Sequence, residues 1–116
     1  MIKNAKPMRV LMTADSIGGV WNYAMALSGG LTRLGCQVHL VVFGGPLSPA
    51  QKRAAQACPE LRLTESQLRL EWMRDPWDDV ARANELLRGI AAEFSPDVIH
   101  FNSYAPAAEA WERPVV

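Results

Sequence analysis

Met8-Arg9-Val10-Leu11-Met12-Thr13, followed by Asp15-Ser16-Ile17-Gly18-Gly19-Val20, is the stretch that decides the fold. The first six residues are a short, largely apolar run, as expected of a strand buried on both faces of a parallel sheet. The period then changes. Val20, Ala24, Leu27, Leu31 and Leu34 recur at the spacing of one helical stripe, and Gly35 follows where a helix ends in a left-handed residue. A buried strand that passes through a glycine pair into an amphipathic helix is the opening of an α/β domain.

The alternation continues outward from there. Residues 38–43 (Val-His-Leu-Val-Val-Phe) read as a second strand rich in β-branched side chains, ended by Gly44-Gly45-Pro46. Ser48-Pro49-Ala50-Gln51 starts a helix that runs to about Cys58. Ser48 is its cap, Pro49 takes the first helical position, and Gln51 closes a capping box. Residues 61–63 form a short third strand, and residues 68–77 an irregular connector carrying Trp72 and Trp77. Asp75-Pro76 opens a helix with Trp77, Val80, Leu87, Ile90 and Phe94 near one face and acidic residues in its first turn. Ser95-Pro96 stops it. Residues 97–101 are the next buried strand, residues 106–111 a short helix, and Pro114-Val115-Val116 the start of a further strand. Gly29 and Gly30 inside the first helix each cost about 1 kcal/mol relative to alanine. Close packing of that helix on the sheet is the expected reason.

This order predicts a doubly wound, Rossmann-like, mostly parallel sheet with right-handed crossovers. The last element breaks off at its beginning, so residues 1–116 read as one incomplete domain. At 116 residues such a chain hides roughly two-thirds of its unfolded surface. A content of 49% hydrophobic and 21% charged residues fits a globular chain. Its 12 basic and 12 acidic side chains cancel, and no stripe of lysine or arginine marks a nucleic-acid surface. Cys36 and Cys58 form no CxxC pair and read as reduced thiols of a cytoplasmic protein. No segment has the pattern of a leader or a membrane span, which leaves peripheral membrane contact open.

Ligands of such folds sit beyond the carboxyl ends of the strands, here residues 14–19, 43–47, 64–67 and 102–105. Gly18-Gly19 either lets a phosphate approach the helix amides or makes a tight turn. GxGxxG, an acid after the second strand, GxxxxGK[ST] and the nucleophile elbow are all missing, which removes dinucleotide, P-loop and hydrolase chemistry. His39 and His100 lie within strands and read as core residues, and no set of side chains has metal-ligand spacing. Of the four tryptophans, Trp77 and its helix stripe read as core. Trp21, just off the first stripe and near the ligand end, is the candidate to stack on a sugar ring.

Arg9-Val10-Leu11-Met12 before Asp15-x-x-Gly18-Gly19-Val20, then Leu34-Gly35-x-x-Val38, then Pro96-Asp97-Val98-Ile99-His100 together resemble the opening of the glycogen-synthase-like glycosyltransferases of GT-B architecture, the subfamily 4-like group. The connector Leu70-Glu71-Trp72-Met73-x-Asp75-Pro76-Trp77 resembles a bacterial subset of them. The resemblance runs over nearly the whole chain. It implies the N-terminal, acceptor-side part of a retaining, hexosyl-type glycosyltransferase. Such an enzyme moves a sugar from a nucleotide-sugar donor to a sugar or glycoconjugate acceptor, with no cofactor and no metal. By position, Gly18 and Gly19 match the loop that approaches the donor diphosphate, and Asp15, Trp21, Asn102, Ser103 and Tyr104 the acceptor side. No catalytic residue is expected in residues 1–116, because the family's histidine segment, paired glutamates and C-terminal donor domain are not among them. Two departures stand out. Cys36 replaces the usual histidine after the helix-ending glycine, and Asn102 replaces a second histidine found in many members. A nucleotide-sugar epimerase of the same architecture and a non-catalytic α/β binding module remain as alternatives.

Overall fold

Seven residues of β1 (Arg9–Asp15) form the axis of the molecule, and all but Arg9 are buried. The structure, a computed structural model, describes residues 6–16, 18–66, 68, 77–102, 111 and 113–116. Along the chain β1 is followed by α1 (Gly19–Arg33), β2 (Gln37–Phe43), α2 (Pro49–Gln56), β3 (Leu61–Glu65), α3 (Trp77–Phe94) and β4 (Val98–His100). The strands lie in the order β3-β2-β1-β4, and every pairing is parallel. Val10 faces both Val38 and Val98 across the sheet. Val115 adds a parallel bridge to Ile99, so the strand expected at the last residues extends the sheet beyond β4.

Alternation along the strands divides the core between two layers. Val10, Met12 and Ala14 of β1, with Val38, Leu40 and Val42 of β2, pack under α1 and α2. Leu11, Val41, Phe43 and Ile99 point the other way and meet Ala83, Leu87 and Phe94 of α3. Each large side chain hidden in this way stabilises the fold by about 1.5–3 kcal/mol. Helices on both faces of a parallel sheet make the doubly wound, Rossmann-like arrangement that the element order predicts.

The helix ends follow the local sequence. At Gly35, φ is 92°. Its amide donates to Thr32 O at 3.1 Å, and that of Cys36 to Leu31 O at 3.0 Å, the pair of bonds that closes a helix through a left-handed glycine. Ser48 and Gln51 form the expected reciprocal capping box. At the end of α3 the Arg9 guanidinium donates to Phe94 O at 2.8 Å, supplying a donor to a carbonyl that has no partner inside the helix.

Several expectations change in detail. β3 extends to Glu65, α2 ends at Gln56 and β4 covers only three residues. Residues 69–76, with Trp72, and residues 103–110, with most of the short helix expected at 106–111, lie outside the described residues, as does the Trp77 side chain. The face of α1 is rotated from the one read in the sequence. Trp21, Ala24, Ser28, Gly29 and Thr32 are buried, Val20, Leu27 and Leu31 flank them, and Leu34 is 83% exposed. Small side chains occupy the contact line because the helix lies across two tightly packed strands, so the larger apolar residues straddle it. Ser28 Oγ at 3.6 Å from Met12 Sδ and Thr32 Oγ1 bonded to Gly29 O at 3.2 Å supply the polar partners this requires. Close packing does not account for the two internal glycines. A Cβ on Gly30 would meet nothing within 4 Å, and one on Gly29 only the Arg33 guanidinium at 3.6 Å.

Candidate functional site

Because all four strands are parallel, the segments after Asp15, Phe43, Glu65 and His100 leave the sheet at one edge. The first carries the glycine pair. Gly18 has φ 79° and ψ −159°, a conformation essentially restricted to glycine, and it turns the chain from β1 into α1. No side chain caps α1 and its first turn holds no acid. Both glycines are exposed, and a Cβ on either would find open space within 4 Å. Among the described residues no side chain comes within 4 Å of a Cβ at either glycine, so the start of a 15-residue helix presents its dipole in the arrangement that receives an anion.

Four further contacts hold this edge together. Ser16 donates its amide to Phe43 O at 2.9 Å, and Gln51 Nε2 donates to Ser16 O at 2.9 Å. On the next segment Glu65 Oε1 accepts the Leu47 amide at 3.1 Å, and its other oxygen lies 3.8 Å from Lys52 Nζ. Ser16 is 6% exposed, and its hydroxyl has no hydrogen-bond partner among the described residues. It faces the open side of Gly45, where a Cβ would come within 3.7 Å.

Asn102 closes the other end of the rim. Its amide donates to Thr13 Oγ1 at 3.0 Å and its Nδ2 to Thr13 O at 2.7 Å, across 89 positions of sequence. Gly18, Gly19 and Asn102 therefore sit on one edge, on adjacent strands. Asp15 ends β1 with 9% exposure, at the base of the same edge. Ser103 and Tyr104 lie outside the described residues. Trp21 is a correction. Expected to stack on a sugar, it is only 6% exposed and packs with Ala24, Leu40 and Leu47 in the layer under α1. The rotation of α1 turns its ring inward.

His39 stands apart from this edge, whereas His100 ends β4 two residues before Asn102. His100 lies beside Tyr23, ring centroids 6.1 Å apart. His39 Nε2 is 2.7 Å from Thr64 Oγ1, and its ring meets Phe94 edge-on at 5.5 Å. Its Nδ1 is buried with no partner among the described residues. Burial, reinforced by Arg62 and partly offset by Glu93, holds its pKa below the ordinary 6.5, because a buried ring disfavours its charged form. Two cavities also lie elsewhere. One of about 280 Å³ lies between α3 and Trp111, and one of about 620 Å³ at the amino ends of the strands is lined by Lys6, Arg9 and Arg113. Among the described residues no group of three or more histidines, cysteines or carboxylates could hold a metal, and no helix is long and apolar enough to cross a membrane.

Sequence reasoning missed Thr13 and Gln51 as parts of this edge. Thr13 reads as one more strand residue, and Gln51 is explained in full by its capping box. Their second partners come from distant segments, which no local pattern reveals.

A family model described as Glycosyltransferase Family 4 matches residues 17–116. The chain belongs to glycosyltransferase family 4. Solved structures of similar shape include a glycosyltransferase from Rickettsia africae, 16% identical with a TM-score of 0.65, covering 96% of this chain and 29% of that one. A UDP-glucosyltransferase from Polygonum tinctorium capable of glucosylating indoxyl, in complex with 3,4-dichloroaniline, is 18% identical with a TM-score of 0.62, covering 84% and 25%. A mutant of DEH reductase A1-R' is 22% identical with a TM-score of 0.52, covering 82% and 34%. At these identities the likenesses are of fold. The chain spans about a third or less of the length of each. No curated protein matches it.

Proposed function

We propose that this family 4 chain is the acceptor-side, N-terminal part of a retaining, hexosyl-type glycosyltransferase that uses a nucleotide-sugar donor. The observation that carries this reading is an uncapped, side-chain-free helix start at the carboxyl edge of the sheet, in a chain matched to the family over residues 17–116. Departure of a nucleoside diphosphate concentrates negative charge on the β-phosphate, and preorganised amides stabilise that charge without reorganisation. The amides of Gly18 and Gly19 offer this wall. Asp15, Asn102, Ser103 and Tyr104 then belong to the acceptor side of the crevice. The Asn102 amide nitrogen already serves Thr13, so its Oδ1 is the atom left to meet an acceptor hydroxyl. The opposing wall, which grips nucleotide and sugar, lies in a donor domain beyond residues 1–116. No metal or organic cofactor is needed, since the amides supply the electrostatic stabilisation.

The test compares the full-length protein with residues 1–116 alone on a panel of nucleotide sugars, with the product anomer read by proton NMR. The expected outcome is turnover with retained configuration by the full-length protein and none by residues 1–116. An inverted product, or turnover by residues 1–116, contradicts the proposal.

A further inference from the structure

The Gln51 amide has two partners, and they fix its orientation. Its Oε1 accepts the Ser48 amide at 2.8 Å, while its Nε2 donates to Ser16 O at 2.9 Å. An N–H can only donate and a carbonyl can only accept, so the amide cannot be reversed. The first bond belongs to the capping box at the start of α2. The second leaves that helix and reaches 35 positions back, to the residue two places before Gly18. Helix capping requires only an acceptor at this position, and glutamate supplies that equally well. The donor half of the side chain is surplus to capping.

The carbonyl it meets lies where the chain leaves β1. The Ser16 amide is bonded to Phe43 O, so both polar main-chain groups of Ser16 are held, one by β2 and one by α2. Between this anchor and α1 stand Ile17 and the special turn at Gly18, whose φ of 79° no ordinary residue would hold. The direction of the first amides of α1 depends on where this short segment starts. Glu65 immobilises the second element on its far side, accepting the Leu47 amide. Gln51 therefore projects from a turn that is braced before it reaches across.

We infer that Gln51 is a positioning residue, which acts through the Ser16 carbonyl to hold the Gly18-Gly19 turn in the orientation that receives the donor diphosphate. The inference rests on the donor role proposed above for that turn. Gln51 itself touches neither donor nor acceptor.

Gln51→Glu separates the two functions of the side chain, because it keeps the acceptor for Ser48 and places a carboxylate against the Ser16 carbonyl. In the full-length protein, hydrogen exchange at the Ser16 amide, which is bonded to Phe43 O, should accelerate about tenfold, the factor expected from losing one hydrogen bond. Exchange within α2 should stay unchanged. KM for the nucleotide sugar should rise about tenfold with kcat altered by less than about twofold, as for a group that matters to donor binding alone. Gln51→Met, which removes the cap as well, should also loosen α2. Unchanged exchange at the Ser16 amide in Gln51→Glu overturns the inference, and so does faster exchange with unaltered donor KM. If the wild-type protein turns over no nucleotide sugar, the functional proposal fails independently and the exchange data still decide whether Gln51 holds the turn.

Discussion

Replacing Thr13 with valine asks whether the rim of the crevice is built from β1 or merely adjoins it. Thr13 is 1% exposed, and its hydroxyl accepts the Asn102 amide at 3.0 Å while its carbonyl accepts Asn102 Nδ2 at 2.7 Å. Valine keeps the shape and the strand preference but leaves that amide without its acceptor. A neutral hydrogen bond contributes about 0.5–1.5 kcal/mol, and a buried unpaired donor costs about 1–3 kcal/mol. Asn102 is half-buried, so water can reach part of the vacated site, and the hydroxyl's own desolvation is relieved. The net cost should be about 1 kcal/mol, read as a lower urea midpoint at unchanged m-value. Asn102→Ala should cost a similar amount. Asn102→Asp should cost more, since an oxygen would then face the Thr13 carbonyl. A Thr13→Val protein within about 0.3 kcal/mol of wild type, or an Asn102→Asp protein as stable as Asn102→Ala, would refute the view that Asn102 is held by β1.

Other expectations follow from the same geometry. Gly18→Ala should destabilise by about 1–3 kcal/mol because of its strained backbone, whereas Gly19→Ala should stay within about 0.5 kcal/mol of wild type; equal costs by urea unfolding would contradict the turn described here. Gly19→Val in the full-length protein should raise the donor KM far more than it disturbs folding, and unchanged donor kinetics would reduce the pair to turn residues. Gly30→Ala should stabilise α1 by about 1 kcal/mol, since its Cβ enters open space, and a lowered thermal midpoint would show a contact that the structure lacks. His39 has a folded-state pKa below 6.5, so the unfolded chain binds the extra proton first. Its contribution is therefore full above that value and is lost as pH falls through the folded-state pKa. The urea midpoint should drop between about pH 7.5 and 5.5 in wild type and much less in His39→Gln; equal slopes would remove His39 as the cause.

The fold was legible because its signals are local. The apolar run of β1, the capping box at Ser48 and Gln51 and the left-handed end at Gly35 each fix an element without reference to the rest of the chain. The face of α1 was not legible, since Ser28 and Thr32 carry no apolar signal and are buried by the sheet beneath them. Trp21 was misjudged for the same reason. Of the rim, the glycine turn can be read from sequence and parallel order alone. The partners of Asn102 and Gln51 cannot, because each bond spans dozens of positions and depends on how the strands are registered.

The central claim is that the open start of α1 receives the diphosphate of a sugar donor, and a titration of the isotope-labelled full-length protein with UDP and GDP tests it most directly. The account predicts that the amide signals of Gly18 and Gly19 move most and saturate with at least one of the two nucleotides. Silence at both glycines, with the response confined to the basic groove lined by Lys6, Arg9 and Arg113 at the amino ends of the strands, would contradict it.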